Sequence, residues 1–229
     1  MLPSKVYILG SNSSLSRILD EQLTKSHYEV TWLGTKSPEW NSTSKSDFKK
    51  IDHDGRNLID QYKELLSDAT NIIFLGAPIQ NSLLHNTSHS DIEKIIDGIL
   101  TNPLKILNIV IPNMIKSGNG RVIFIGSSVA DRGVVGAAVY SAAKSSYKNL
   151  VKSLANEYGS FGITFNCLSL GYLESGMAEI LDAEKKKEYL RRTSNKKVVE
   201  KTEIAQWIRN ILESEGLNGS TIELDGGFI

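Results

Sequence analysis

The sequence predicts a doubly wound α/β fold with a parallel sheet, built as one domain over residues 1–229. Three observations carry this. Short runs such as Val6-Tyr7-Ile8-Leu9 and Val122-Ile123-Phe124-Ile125 are apolar at consecutive positions, as strands buried on both faces are. Segments of helical period lie between them, such as Leu15, Ile18, Leu19 and Leu23. Finally, no repeat and no linker divides the 229 residues, a length that suits one domain. Strands alternating with helices imply right-handed crossovers and a ligand crevice at the carboxyl ends of the strands.

Taken in order, Val6–Leu9 is a strand closed by Gly10, and Val30–Leu33 is a second, closed by Gly34. Ser37 to Ser46 is polar and reads as a loop; Phe48 to Ile51 is a short third strand. Leu58 to Leu66 is helical, and Ile72–Leu75 is a fourth strand ended by Gly76. A polar loop, Asn81 to Ser90, leads into a long helical region from Asp91 to Lys116. Val122–Ile125 is the fifth strand, and Tyr140 to Tyr158 is helical. Thr164 to Leu170 is a sixth strand, Ala183 to Arg192 and Glu203 to Glu213 are helices, and Thr221 to Leu224 is the last strand.

Lys and Arg total 26 and Asp and Glu total 26, so no global charge draws the chain to nucleic acid or an anionic membrane. The single cysteine, Cys167, allows no intrachain disulfide and suits a reducing compartment. Met1 to Leu9 is too short for a signal peptide and no apolar run approaches a membrane span, so a cytoplasmic location is expected. The Asn-x-Ser/Thr triplets at Asn12, Asn41, Asn86 and Asn218 then read as incidental.

A dinucleotide site needs a tight turn after the first strand, so that backbone N–H groups can approach a pyrophosphate. The turn here reads Gly10-Ser11-Asn12-Ser13-Ser14-Leu15-Ser16 and has one glycine. Alone, it reads equally well as a helix N-cap. Tyr140-Ser141-Ala142-Ala143-Lys144 says more, because residues four apart share a helix face and direct a phenol and an ammonium into one place. A phenol titrates near ~10, so a neighbouring cation is needed for it to pass a proton near neutrality. Ser127 and Ser128 follow the fifth strand, where a hydroxyl could hold a carbonyl oxygen. A Tyr-x-x-x-Lys pair is common by chance; its place beyond strand five, with Ser127 thirteen positions upstream, sets this one apart.

With these residues in place, the chain resembles a short-chain dehydrogenase/reductase along nearly its whole length. The family's Ser, Tyr and Lys map to Ser127, Tyr140 and Lys144. The runs Gly120–Ser128, Leu154–Glu157 with Gly162–Asn166, and Asp225-Gly226-Gly227 match its later elements. The resemblance implies a Rossmann-like fold and an oxidoreductase that interconverts a carbonyl and an alcohol. Ser127 would polarise the carbonyl and Tyr140 would transfer the proton. Lys144 would lower the Tyr140 pKa and hold the nicotinamide ribose. Cofactor contacts would fall at Gly10, Ser13, Ser14, Leu15, Thr35, Lys36, Asp52, Ala77, Gly171, Leu173 and Ser175, besides Tyr140 and Lys144. The family's members are usually homodimers or homotetramers.

Several positions depart from the family pattern. Ser14 and Ser16 stand where it has glycines, Leu75-Gly76-Ala77-Pro78 replaces Asn-Asn-Ala-Gly, and Leu170-Gly171 replaces Pro-Gly. Ile99 occupies the position of an Asn that usually joins a water-linked proton relay, with Asn102 a turn away. Gly34 stands where members preferring NAD(H) carry Asp, and Thr35 and Lys36 follow it, which implies NADP(H). His85 and His89 read as loop residues, not metal ligands. Lys185-Lys186-Lys187, Arg191-Arg192 and Lys196-Lys197 read as a solvated basic face, or as an attraction for an anionic substrate or an acidic carrier protein. Trp32, Trp40 and Trp207 read as packing residues.

The expected function is NADPH-dependent reduction of a ketone, a 3-oxoacyl thioester or similar, free or bound to a carrier. Two alternatives are a sugar or secondary-metabolite ketoreductase and a non-catalytic, cofactor-binding regulator or structural member of the family.

Overall fold

The computed structural model describes residues 4–11, 13–38, 40, 43–51, 58–79, 81–172 and 183–228, with Ser14, Val129 and residues 183–186 described by their backbone alone. Seven parallel strands form one sheet in the order β3-β2-β1-β4-β5-β6-β7. They are β1 Ser4–Leu9, β2 Tyr28–Gly34, β3 Ser46–Lys50, β4 Asn71–Phe74, β5 Gly120–Ser127, β6 Ile163–Leu170 and β7 Thr221–Leu224. The order reverses between β1 and β4, which opens the crevice that a doubly wound sheet offers a ligand.

The central strands are largely apolar because both faces are covered, and the pleat sorts their side chains into two cores, while the edge strand β3, Ser-Asp-Phe-Lys-Lys, stays largely exposed. Tyr7, Phe74, Val122, Phe124, Phe165 and Cys167 face one side. There they meet α2 (Leu58–Leu65), α3 (His89–Ile96), α4 (Asn102–Ser117) and α6 (Ala138–Tyr158) through Tyr62, Ile95, Ile106, Val110 and Tyr147. Val6, Ile8, Ile73, Ile123, Ile125 and Leu168 face the other side, against α1 (Ser14–Lys25) and α8 (Lys201–Glu213). A short helix α5, Val129–Arg132, follows β5, and α7, Ala183–Arg192, precedes α8. By length and hydropathy the stretch His89–Ser117 could cross a membrane. Here its apolar face, including Ile95, Ile99, Ile106 and Met114, is buried in the first core.

That long helical region is not one continuous α-helix. Asp97–Thr101 forms a π-turn between α3 and α4. Pro103 lacks the N–H that an α-helix would offer to the Ile99 carbonyl four residues back. The Tyr147 hydroxyl supplies a donor instead, 2.7 Å from that carbonyl. Gly98 lets the turn approach the segment after β4: a Cβ there would lie 2.5 Å from the Pro78 Cγ. The sequence reading missed this turn because its apolar period survives one extra residue.

The β1 and β4 ends meet glycine to glycine. Gly76 N–H donates to the Leu9 carbonyl at 2.8 Å. Gly10 has φ +109°, and a Cβ on it would fall 2.3 Å from the Gly76 nitrogen. Gly10→Ala should therefore cost at least about 2 kcal/mol, from backbone strain added to a clash. Urea unfolding measures this, and a loss below about 0.5 kcal/mol would contradict the packing described.

Candidate active site

The site is assembled at the carboxyl ends of β1, β4, β5 and β6. The turn after β1 leads into α1, whose N-cap is Ser13 and whose first turn carries no acidic side chain. The N-terminus of α1 thus presents partial positive charge at the crevice. Ser16 stands where a glycine was expected and is fully buried. Its hydroxyl accepts from the Ser13 N–H at 3.3 Å and reaches the Gly10 carbonyl at 3.4 Å, so the extra group is absorbed within the turn. The Leu15 side chain is buried in the second core, which leaves only its backbone to face a ligand.

Ser11, which the sequence reading passed over, ties this turn to the end of β2. Its hydroxyl donates to the Lys36 carbonyl at 3.0 Å. Its own carbonyl accepts from the Trp40 indole N–H at 3.3 Å. A Cβ on Gly34 would lie 2.8 Å from the Ser11 Oγ. Gly34 is therefore glycine for a steric reason, as well as lacking a carboxylate. Thr35 and Lys36 are exposed beside it.

Ser127 ends β5, and Tyr140 opens the first turn of α6. Their hydroxyls are hydrogen-bonded to each other. Burial pushes the Tyr140 phenol above its ordinary value, and the bond from Ser127 opposes that. Lys144, one turn along α6, is buried, and its Nζ donates to the Ile125 carbonyl at 2.6 Å. The bond from Ser127 opposes the effect of burial on Tyr140, and the Lys144 ammonium, one turn along, donates to β5. Burial brings the Lys144 ammonium down to about 8.

Ala77 is half-buried after β4 and packs against the first core. Gly171, after β6, sits under Tyr189 of α7, with a Cβ there only 2.5 Å from the Tyr189 hydroxyl. That hydroxyl also accepts from the Tyr172 N–H at 2.6 Å, anchoring α7 to the end of β6. The Tyr189 ring stacks on Phe228 at 4.4 Å, and the Arg132 and Arg192 guanidinium groups lie over Phe228. Asp52, Leu173 and Ser175 lie outside the described residues. Ile99, at the expected Asn position, is buried, so its side chain brings no polar group to the site. His85 lies in a short 3-10 turn, Leu84–Asn86, and His89 opens α3.

A doubly wound sheet with a crevice at its switch point, and a hydroxyl pair with a buried lysine one turn further on, form the candidate site. Residues 52–229 match the family model described as "Enoyl-(Acyl carrier protein) reductase". The chain belongs to this family, within the short-chain dehydrogenases/reductases, and is an NAD(P)-dependent oxidoreductase of the ketoreductase type. It is 28% identical over 236 residues to a 3-oxoacyl-[acyl-carrier-protein] reductase FabG of Buchnera aphidicola subsp. Acyrthosiphon pisum, covering 96% of this chain and 95% of that protein. The Escherichia coli (strain K12) FabG is 24% identical over 233 residues, with the same coverage. Among solved structures, a 4-hydroxyisoleucine dehydrogenase complexed with NADH superposes with a TM-score of 0.89 at 19% identity, covering 98% of each chain. A structure described as a short chain dehydrogenase/reductase family protein reaches 0.87 at 17% identity, covering 99% of this chain and 97% of that one.

The buried ammonium has a consequence for stability. In the unfolded chain Lys144 holds its proton up to its ordinary 10.5, in the folded chain only to about 8. Between these values the unfolded state binds more protons, so this group makes stability rise with pH there; below 8 the full cost is carried. Lys144→Met should raise stability at pH 7 by about 1–3 kcal/mol, an advantage that shrinks as pH rises towards 10. Urea unfolding at pH 7 and pH 10 measures it, and a variant less stable than wild type at pH 7 would contradict the assignment.

Proposed function

We propose that the chain reduces a 3-oxoacyl thioester to the 3-hydroxy product at Ser127, Tyr140 and Lys144, with NADPH as the preferred reductant. The observation that carries this reading is the Ser127–Tyr140 hydroxyl pair at the mouth of the crevice, with Lys144 one turn behind it. NADPH, when bound, supplies the hydride to the carbonyl carbon. The Ser127 hydroxyl donates to the substrate oxygen and fixes its position. The Tyr140 phenol passes its proton to that oxygen as negative charge develops there. Lys144 keeps two N–H donors beyond the one spent on Ile125, and these are available to a ribose hydroxyl.

The residues fit a dinucleotide. Gly10 and Gly76 form a floor with no side chain, and the N-terminus of α1 faces it without an acidic group. Preference for NADPH is favoured by Gly34, which leaves no carboxylate to repel a 2′-phosphate, and by exposed Thr35 and Lys36 next to it. Delivery of the substrate on an acidic carrier protein is favoured by the basic residues around α7, of which Arg191 and Arg192 are exposed. The names of the curated relatives point the same way. A homodimer or homotetramer in the cytoplasm completes the reading, on the strength of the family.

Tyr140→Phe should lower kcat for a 3-oxoacyl thioester by about 10²–10⁴-fold, with NADPH affinity within about threefold of wild type. Steady-state NADPH consumption measures it, and a rate within tenfold of wild type would overturn the role of Tyr140. Fluorescence titration should show wild type binding NADPH more tightly than NADH. The double variant Ser11→Ala/Gly34→Asp clears space and adds a carboxylate, and it should reverse that order. Tighter NADH binding by wild type would overturn the preference.

A further inference from the structure

Lys144 is 4% exposed; Lys148, one turn further along α6, is a cation turned outward to Asp131 and Glu223, and the other titratable groups near Lys144 among the described residues are neutral near pH 7. On its own helix these are the phenols of Tyr140 and Tyr147, both raised by burial. From β6 it is the Cys167 thiol, pushed up to about 11 by burial. Asp131 carries charge further out, beside Cys167, and is paired with Lys148 at 2.8 Å. The ammonium is therefore held by dipoles, not by a counter-ion. One is the Ile125 carbonyl. The other is the face of the Tyr147 ring, whose centroid lies 5.0 Å from Nζ.

Tyr147 is three residues beyond Lys144 and is itself buried. Its ring packs on Phe124 at 4.7 Å, and Phe124 stacks on Phe74 at 4.9 Å, which fixes the ring against β5 and β4. Its hydroxyl is fixed separately, on the Ile99 carbonyl that Pro103 leaves without an α-helical donor. A leucine would fill the same core space but would meet neither the carbonyl nor the cation.

We propose that Tyr147 is a positioning residue for the active site: its ring is one wall of the Lys144 ammonium site, and its hydroxyl locks that wall to the π-turn. The functional meaning rests on the reading of Lys144 given above; the geometry itself does not. The side chain therefore has two separable parts. The hydroxyl contributes to packing of the π-turn and so to stability. The ring face stabilises positive charge, and so decides how high in pH Lys144 stays protonated. Removing the ring lowers the pH at which the ammonium is lost, and with it the alkaline limb of turnover.

The test uses the full-length protein with lysine isotopically labelled, and follows the Lys144 side-chain resonances by NMR as pH rises. Wild type should titrate near 8, with the ε-methylene protons moved upfield by the ring above them. Tyr147→Phe keeps the ring; it should melt at lower temperature yet titrate as wild type does. Tyr147→Met loses the ring at similar volume, and its midpoint should fall by about one pH unit, a tenfold change in the proton equilibrium. The alkaline limb of kcat should move by the same amount while KM holds. Equal midpoints in wild type and Tyr147→Met, or an equal fall in Tyr147→Phe, would overturn the proposal. Should Tyr147→Met fail to fold, the wild-type spectrum still decides: ε-protons without an upfield displacement would overturn it. None of the NMR measurements uses substrate. An active Tyr140→Phe would therefore fell the catalytic reading and leave the Tyr147 result standing.

Discussion

A charged amine inside a protein needs something to hold it, and here the principal holder is a single backbone carbonyl. Lys144 Nζ meets the Ile125 oxygen at 2.6 Å, two residues before the serine that ends β5. That bond holds the amine near the carboxyl end of β5, on a helix whose rotation is set by the burial of Val139, Ala143, Tyr147, Val151 and Leu154. Tyr140, one turn earlier, meets Ser127. The cost of burying the charge is borne by the rest of the fold, as is common where a site needs a group that the core would not choose.

The other half of the crevice depends on a backbone contact. Gly10 and Gly76 approach so closely that neither tolerates a Cβ, and this brings the turn before α1 against the segment after β4. Ser11 then reaches across to Lys36, and Trp40 reaches back to Ser11. The turn after β1 is thus tied to Lys36 and Trp40 beyond β2. A turn with one glycine can serve here because Ser16 spends its hydroxyl inside the turn instead of projecting it.

Much of this was legible in the sequence. Strands buried on both faces and helices of clean period pointed to the α/β class, and the Tyr140–Lys144 spacing with Ser127 upstream anticipated the contact between Ser127 and Tyr140. What stayed hidden depends on contacts between distant residues. The π-turn at Asp97–Thr101 keeps the apolar period of an ordinary helix, so only the missing N–H of Pro103 hinted at it. The steric link between Ser11 and Gly34 joins positions 23 apart and has no local signature. The short helix Val129–Arg132 is a single turn, too brief to show periodicity. The bond from the Lys144 ammonium to β5 uses a carbonyl that every strand possesses and that no motif marks.

The proposed activity requires that the hydroxyl pair and the buried amine flank the reactive end of a bound dinucleotide. A crystal structure of the protein grown with NADPH addresses it directly. The account predicts the nicotinamide ring beside Ser127 and Tyr140, with Lys144 in hydrogen-bonding reach of its ribose. A dinucleotide bound with its nicotinamide away from that pair, or crystals that exclude it at saturating concentration, would contradict it.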